Sequence, residues 1–214
     1  MDELKKKIVE PKGECPHASN PTQCLTQLFM SKELTDLTVT IPGHNEEFKV
    51  HRLVLGMWSR VFQAMLFGPM AEGQTITLEE DSPEAFTWLI NYMYTGQTGI
   101  SSIELALQVY LLANKYLMGH VKTVCSEYLQ RKASAVSVPE ILNIANLLED
   151  DALIKKCTEE LDKSPDSFWS SSTIGILNID SMELLLKEDF RVSSESVIFQ
   201  GVLNWYILLN NITL

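Results

Sequence analysis

Few side chains in this chain have the types and spacing that catalysis or ligand binding requires. Gly68-Pro-Met-Ala-Glu-Gly73 has the glycine spacing of a phosphate-binding loop. Such a loop needs Lys and then Ser or Thr to reach phosphate and metal, followed by a helix. Gln74-Thr75 stands there instead, and the alternation in Thr75-Ile-Thr-Leu78 predicts a strand. No Gly-x-Ser-x-Gly elbow occurs that would present a nucleophile. His17, His44, His51 and His120 lack metal-ligand spacing. Cys15, His17 and Cys24 supply three donors with no fourth nearby in sequence. Cys125 and Cys157 fall on apolar faces of predicted helices, where a thiol behaves as a small hydrophobe. Glu79-Glu80-Asp81 reads as a solvated turn. The residues point to reduced thiols, to no metal and no cofactor, and to a protein that is not an enzyme.

Charge narrows the partners. A net charge of −11 argues against general binding to nucleic acid or an anionic membrane, since phosphate contacts need clustered Lys and Arg. The dense basic run Lys5-Lys6-Lys7 is flanked by Glu3 and Glu10 and reads as a solvated leader. The N-terminus carries no apolar stretch of signal-peptide form, and no run approaches the length of a membrane span. The expected setting is the cytoplasm or nucleus, so the glycosylation sequon Asn211-Ile212-Thr213 carries no weight.

The elements begin with a hairpin. In Asp36-Leu-Thr-Val-Thr-Ile41, Leu37, Val39 and Ile41 alternate with Thr38 and Thr40, as a half-buried strand does. Pro42-Gly-His-Asn45 breaks it, and Phe48 and Val50 resume the alternation. Spacing then turns helical through Leu53, Leu55, Val61, Phe62, Met65 and Leu66, until Gly68-Pro69. With Thr75–Leu78 as a third strand, a small sheet is complete. Ser82-Pro83-Glu84 starts a helix with an N-cap, a first-position proline and a first-turn acid. Ser101-Ser-Ile-Glu104 has capping-box form and opens a helix apolar nearly all round. Val121 to Leu129 line the face of the next helix.

After the small residues Ser134–Ser137 the pattern stays helical. Pro139–Leu148 and Ala152–Leu161 form an expected pair, Asp180-Ser-Met-Glu183 opens another helix, and a last one starts near Glu195. The fold class is α+β: a mainly three-stranded sheet flanked by helices, then an all-helical region. The expected units are a flexible leader at 1–21, a first domain at 22–132 and a helical region at 133–214. Asn210–Leu214 has no recognisable terminal cap, so a longer protein is expected.

This order of elements resembles the BTB/POZ domain family. Asp36-Leu-Thr-Val39 is similar to the family's opening strand, and His51-Arg-Leu-Val-Leu55 with Ser59, Val61 and Phe62 to its first helix signature. Met65-Leu-Phe-Gly-Pro-Met-Ala-Glu72 resembles the subgroup that carries a BACK region. Tyr92-Met-Tyr-Thr-Gly96 and Ala113-Asn-Lys-Tyr116 match later helices, and Phe199-Gln-Gly-Val-Leu-Asn-Trp205 resembles a BACK motif.

The resemblance implies a protein-interaction module that forms homodimers and links a substrate protein to a cullin-3 ubiquitin ligase. Implied dimer-interface residues are Leu25, Leu28 and Phe29, which spacing puts on one face of a short helix expected over Thr22–Ser31, with Asp36 and Arg52 as a charged pair. Implied cullin-3 contacts are Phe86, Trp88 and Tyr94, since large aromatics dominate interface energies. Trp88 stands where the notional hydrophobic-x-Glu motif has its acid. A dimerising scaffold or transcription-linked protein that binds no cullin is the alternative.

Overall fold

The computed structural model describes residues 20–42, 47–69, 71 and 73–210. The turn of the expected hairpin, the leader with Cys15 and His17, and His44 lie outside them. Helix α1 (Pro21–Ser31) is capped by Asn20, whose side chain accepts from the Gln23 amide at 2.9 Å. Strands β1 (Leu37–Thr40) and β2 (Phe48–Val50) pair antiparallel, with Leu37 opposite Val50. Helices α2 (Arg52–Trp58) and α3 (Arg60–Phe67) follow, meeting at Ser59. Strand β3 (Thr75–Thr77) then lies parallel to β1, with Val39 opposite Ile76. The sheet order is β2-β1-β3, so β1 is the central strand.

Helices complete the molecule. Ser82 caps α4 (Pro83–Thr95), and Gly96 closes it in a left-handed turn at φ 71°, where a Cβ would be strained. In α5 (Ile103–Lys115) the cap is Ser102, which accepts from the Leu105 amide at 3.1 Å. The capping box expected from Ser101 is therefore displaced by one residue. Helix α5 buries Leu105, Ala106, Leu107, Val109, Tyr110, Leu112 and Ala113 on most of its circumference, which makes it the centre of the first half. Helix α6 (Gly119–Lys132) buries Val121, Cys125 and Leu129.

Helices α7 (Val138–Leu147) and α8 (Asp151–Leu161) form the expected pair. Two short elements that periodicity does not announce come next: α9 (Pro165–Trp169) and a 3-10 turn at Ser172–Ile176. Helix α10 (Ile179–Leu185) is capped by Asn178 and α11 (Glu195–Leu209) by Ser194. Gly201 on α11 is buried, and a Cβ there would lie 2.6 Å from the Trp169 carbonyl oxygen. The α9–α11 approach thus requires glycine. The Trp205 indole donates to the Leu177 carbonyl at 2.8 Å and ties α11 to the segment before α10.

Buried apolar residues form a continuous core from Leu37 in the sheet to Trp205 in α11. Cys125 and Cys157 belong to it, and burial pushes both thiols up to about 12, as inert hydrophobes.

Two sequence expectations change. Leu53, counted in the apolar pattern of α2, is 65% exposed. Asp81, expected in a solvated turn, has a side chain only 1% exposed. Its carboxylate accepts from Lys115 Nζ at 2.7 Å and from the Tyr116 hydroxyl. Burial first, and then the carboxylate, raise the Tyr116 hydroxyl well above the ordinary tyrosine range. Tyr116 in turn stacks on Phe62 at 4.2 Å, and its carbonyl accepts from the buried Ser59 hydroxyl at 2.7 Å. This chain of contacts pins the end of β3 to α5 and to the α2–α3 junction.

Candidate interaction surface

The start of α2 is a junction of three segments. In the neutral ring, His51 Nε2 must carry the proton, because it lies 2.8 Å from the Glu33 carbonyl, which only accepts. Nδ1 then accepts from the Tyr94 hydroxyl at 2.7 Å, and that hydroxyl accepts from the His51 amide at 2.8 Å. Burial pushes the Tyr94 hydroxyl up to about 12, outweighing the lowering effect of the His51 amide. The segment held by Glu33 contains Lys32 at φ 55° and Leu34 at φ 58°. Side chains in that left-handed region cost about 1 kcal/mol each, so the histidine bond helps hold a strained connection.

Asp36 and Arg52 do meet, but not side chain to side chain. Asp36 Oδ1 accepts from the Arg52 backbone amide at 2.8 Å, so Asp36 caps α2 from a distant segment. His51, the residue in cap position, makes no such side-chain bond. The Arg52 guanidinium donates to the carbonyls of Leu66 and Gly73, the latter at 2.8 Å, and lies 5.5 Å from the Phe67 ring centroid. The expected charged pair is thus a cap plus a guanidinium that fastens α3 and the segment before β3.

On α1, Leu25, Leu28 and Phe29 are all half-buried. The helix packs on α4, and Phe29 stacks on Tyr94 with centroids 4.7 Å apart. Part of the stripe expected at a dimer interface is therefore covered by the chain itself. Met30 and Leu34 beyond it are exposed.

Periodicity missed the larger apolar surface, on α2 and α3. Leu53, Met57, Phe67 and Leu117 are exposed, Met57 at 74%, and Trp58 is partly so. With Gly56, Arg60 and Gln63 they line an open groove of about 700 Å³. Leu53 and Met57 are one helical turn apart and share a face. Their exposure could not be read from a spacing that suits a buried face equally well.

The expected aromatic contacts on α4 divide. Phe86 and Tyr94 are enclosed in the core, against Phe48 and Phe62 in one case and Phe29 and His51 in the other. Burial removes both from any surface a partner can reach. Trp88 is half-buried, stacked on Tyr92 at 5.5 Å and 6°, with its indole donating to the Gly99 carbonyl at 2.8 Å. Tyr92 also meets Trp58, whose indole donates to the Met93 carbonyl at 3.0 Å. The aromatic run Trp88–Tyr92–Trp58 thus leads from α4 to the groove.

Among the described residues no three His, Cys, Asp or Glu side chains converge as metal ligands. No described helix is long and apolar enough to cross a membrane. What the surface offers is apolar area beside anchored polar groups, the composition of a protein-binding face.

A small sheet with β1 central, wrapped by helices, bears this face. The family model of the BTB/POZ domain matches residues 25–133, about half of the chain, and the chain belongs to that family. BTB/POZ domain-containing protein 6-A of Danio rerio is 27% identical over 194 residues, covering 88% of this chain and 36% of the relative. BTB/POZ domain-containing protein 9 of Bos taurus is 30% identical over 201 residues, covering 90% and 32%. The chain therefore spans about a third of the length of these relatives. Among solved structures, the BTB domain of zebrafish PATZ1 aligns with a TM-score of 0.46 at 20% identity, over 51% of this chain and 88% of that one.

Proposed function

We propose that the protein homodimerises through the face of α2, α3 and the segment after α1 and acts as a substrate adaptor of a cullin-3 ubiquitin ligase, in the cytoplasm or nucleus. The observation that carries the dimer is the exposed apolar surface of Leu53, Met57 and Phe67, continued by Leu34 on a segment bonded to the start of α2. Apolar area of this kind is stabilised by covering it, and a twofold partner covers it with the same residues. Asp36 and Arg52 hold the two segments of that face together.

Trp88 supports the cullin-3 reading. It is half-buried and stacks on Tyr92, which also meets Trp58 of the groove, and aromatic anchors carry much of the energy of such contacts. The helices beyond residue 133, BACK-like in sequence, would extend that surface and space the substrate protein. The withdrawal of Phe86 and Tyr94 into the core favours the second reading, a dimerising scaffold that binds no cullin.

Two measurements separate these. Light scattering during size exclusion is expected to give twice the chain mass, and Leu53→Asp with Met57→Asp to give the monomer mass; a wild-type monomer at tens of micromolar rejects the dimer. Calorimetry with the N-terminal domain of cullin-3 is expected to show binding that Trp88→Ala weakens about tenfold or more. No heat from the wild-type dimer leaves the scaffold.

A further inference from the structure

Apolar burial binds the family-matched unit to the helices that follow it, but burial is almost without direction. It resists separation of α7–α11 from α5 and α6 far more than it resists sliding or rotation. Something directional must fix the angle, and one carboxylate stands at the joint. Asp150 lies in the turn between α7 and α8, directly after Glu149, whose backbone is left-handed at φ 52°. Its Oδ1 accepts from the Leu153 amide at 3.0 Å and caps α8. Its Oδ2 accepts from the Ser126 hydroxyl of α6 at 2.8 Å and from the Tyr110 hydroxyl of α5. Ser126 is itself held by Gln130 Nε2 at 3.2 Å. Tyr110 is buried, so its ring cannot swing to follow a moving partner.

We propose that Asp150 is a clamp that sets the angle of α7–α11 on the family-matched unit. One side chain ties three helices, two from that unit and one from beyond it. Hydrogen bonds to an ionised acceptor are short and directional, and they are the stronger kind. The strained backbone at Glu149 aims the carboxylate, and such strain persists where surrounding bonds over-determine it. The hydroxyl partners gain as well, because a buried Tyr110 without an acceptor would lose a bond it cannot recover from water. Whatever the later helices hold is thereby kept at a fixed place relative to the groove of α2 and α3. The clamp does not depend on whether that groove meets a second copy or a cullin.

Hydrogen exchange on the full chain tests it, using Tyr110→Phe. This change removes one hydroxyl and leaves the Asp150–Leu153 cap intact. The clamp predicts that amides of both α7 and α8 exchange about tenfold faster or more, while β1 and α4 keep their protection. It also predicts that Asp150→Ala alone and Asp150→Ala with Tyr110→Phe exchange alike in α7, because both act through one bond. If Asp150 is merely a local cap, Tyr110→Phe leaves α7 and α8 at wild-type rates, and the proposal fails. Should Asp150→Ala not fold, Ser126→Ala removes the other hydroxyl donor to Oδ2 and leaves the cap; the clamp predicts faster exchange in α7 and α8 there too, and wild-type rates overturn it.

Discussion

Asp36 and Asp81 border the same small sheet, one before β1 and one after β3, and they do opposite work. Asp36 is exposed and spends one oxygen on the first amide of α2. Asp81 is withdrawn from water and holds Lys115 and Tyr116 of the α5 terminus. In sequence their roles look reversed: the family resemblance implies an interface pair for Asp36, and Asp81 at the end of Glu79-Glu80 suggests solvent. The difference lies in what arrives later. The end of α5 brings a cation and a phenol to Asp81, so a buried carboxylate is satisfied rather than orphaned. Among the described residues no comparable pair closes over Asp36.

The largest test of that contrast is Asp81→Ala. It leaves the buried Tyr116 hydroxyl without its acceptor, and urea unfolding is expected to show a loss of about 3 kcal/mol. Lys115 tempers the figure, since its side chain is 46% exposed and reaches water once freed. Asp36→Ala removes a cap at an exposed site, and the same measurement is expected to show about 1 kcal/mol. Equal losses, or the reverse order, would break the contrast.

A third acid lies between the two in burial and gives the smallest effect. Burial raises Asp150, but the Tyr110, Leu153 and Ser126 hydrogen bonds and the Lys122 charge outweigh it, so its carboxyl sits below the ordinary aspartate range. A carboxyl depressed by folding stabilises the fold above its unfolded value, near 3.9, and that contribution is lost as pH falls through the lower folded value. Stability of the wild type is thus expected to decline more steeply below about pH 4 than that of Asp150→Asn. Parallel slopes in acid denaturation would show that folding does not depress the Asp150 carboxyl.

Much of the fold is written locally. Ser82-Pro83-Glu84 carries its own cap, proline and dipole partner, and α4 starts there. The alternation of Leu37, Val39 and Ile41 fixes β1 because a one-residue slip would put every apolar side chain in water. The interaction surface is less legible. Periodicity says that a helix has an apolar face, but not whether the same chain covers it. Leu53 and Phe86 both fit helical apolar spacing, yet Leu53 stays bare while Phe86 is sealed by Phe48 and Phe62. Tyr94 was legible as an aromatic and illegible as the partner of His51, since that bond joins positions set together by the sheet. The short helix at Pro165–Trp169 has too few residues to display a period, and Gly201 announces its contact with Trp169 only in three dimensions.

The central place of β1 also governs the order in which this sheet can assemble. The β1–β2 pair closes a short loop and can form as soon as Val50 is available. The β1–β3 pair is parallel, so the chain must travel through all of α2 and α3 before Thr75–Thr77 can lie alongside. Until then β1 presents one open edge of amides and carbonyls. Pairing of β3 therefore closes the edge that the β1–β2 pair leaves open, at the larger loop-closure cost of the two.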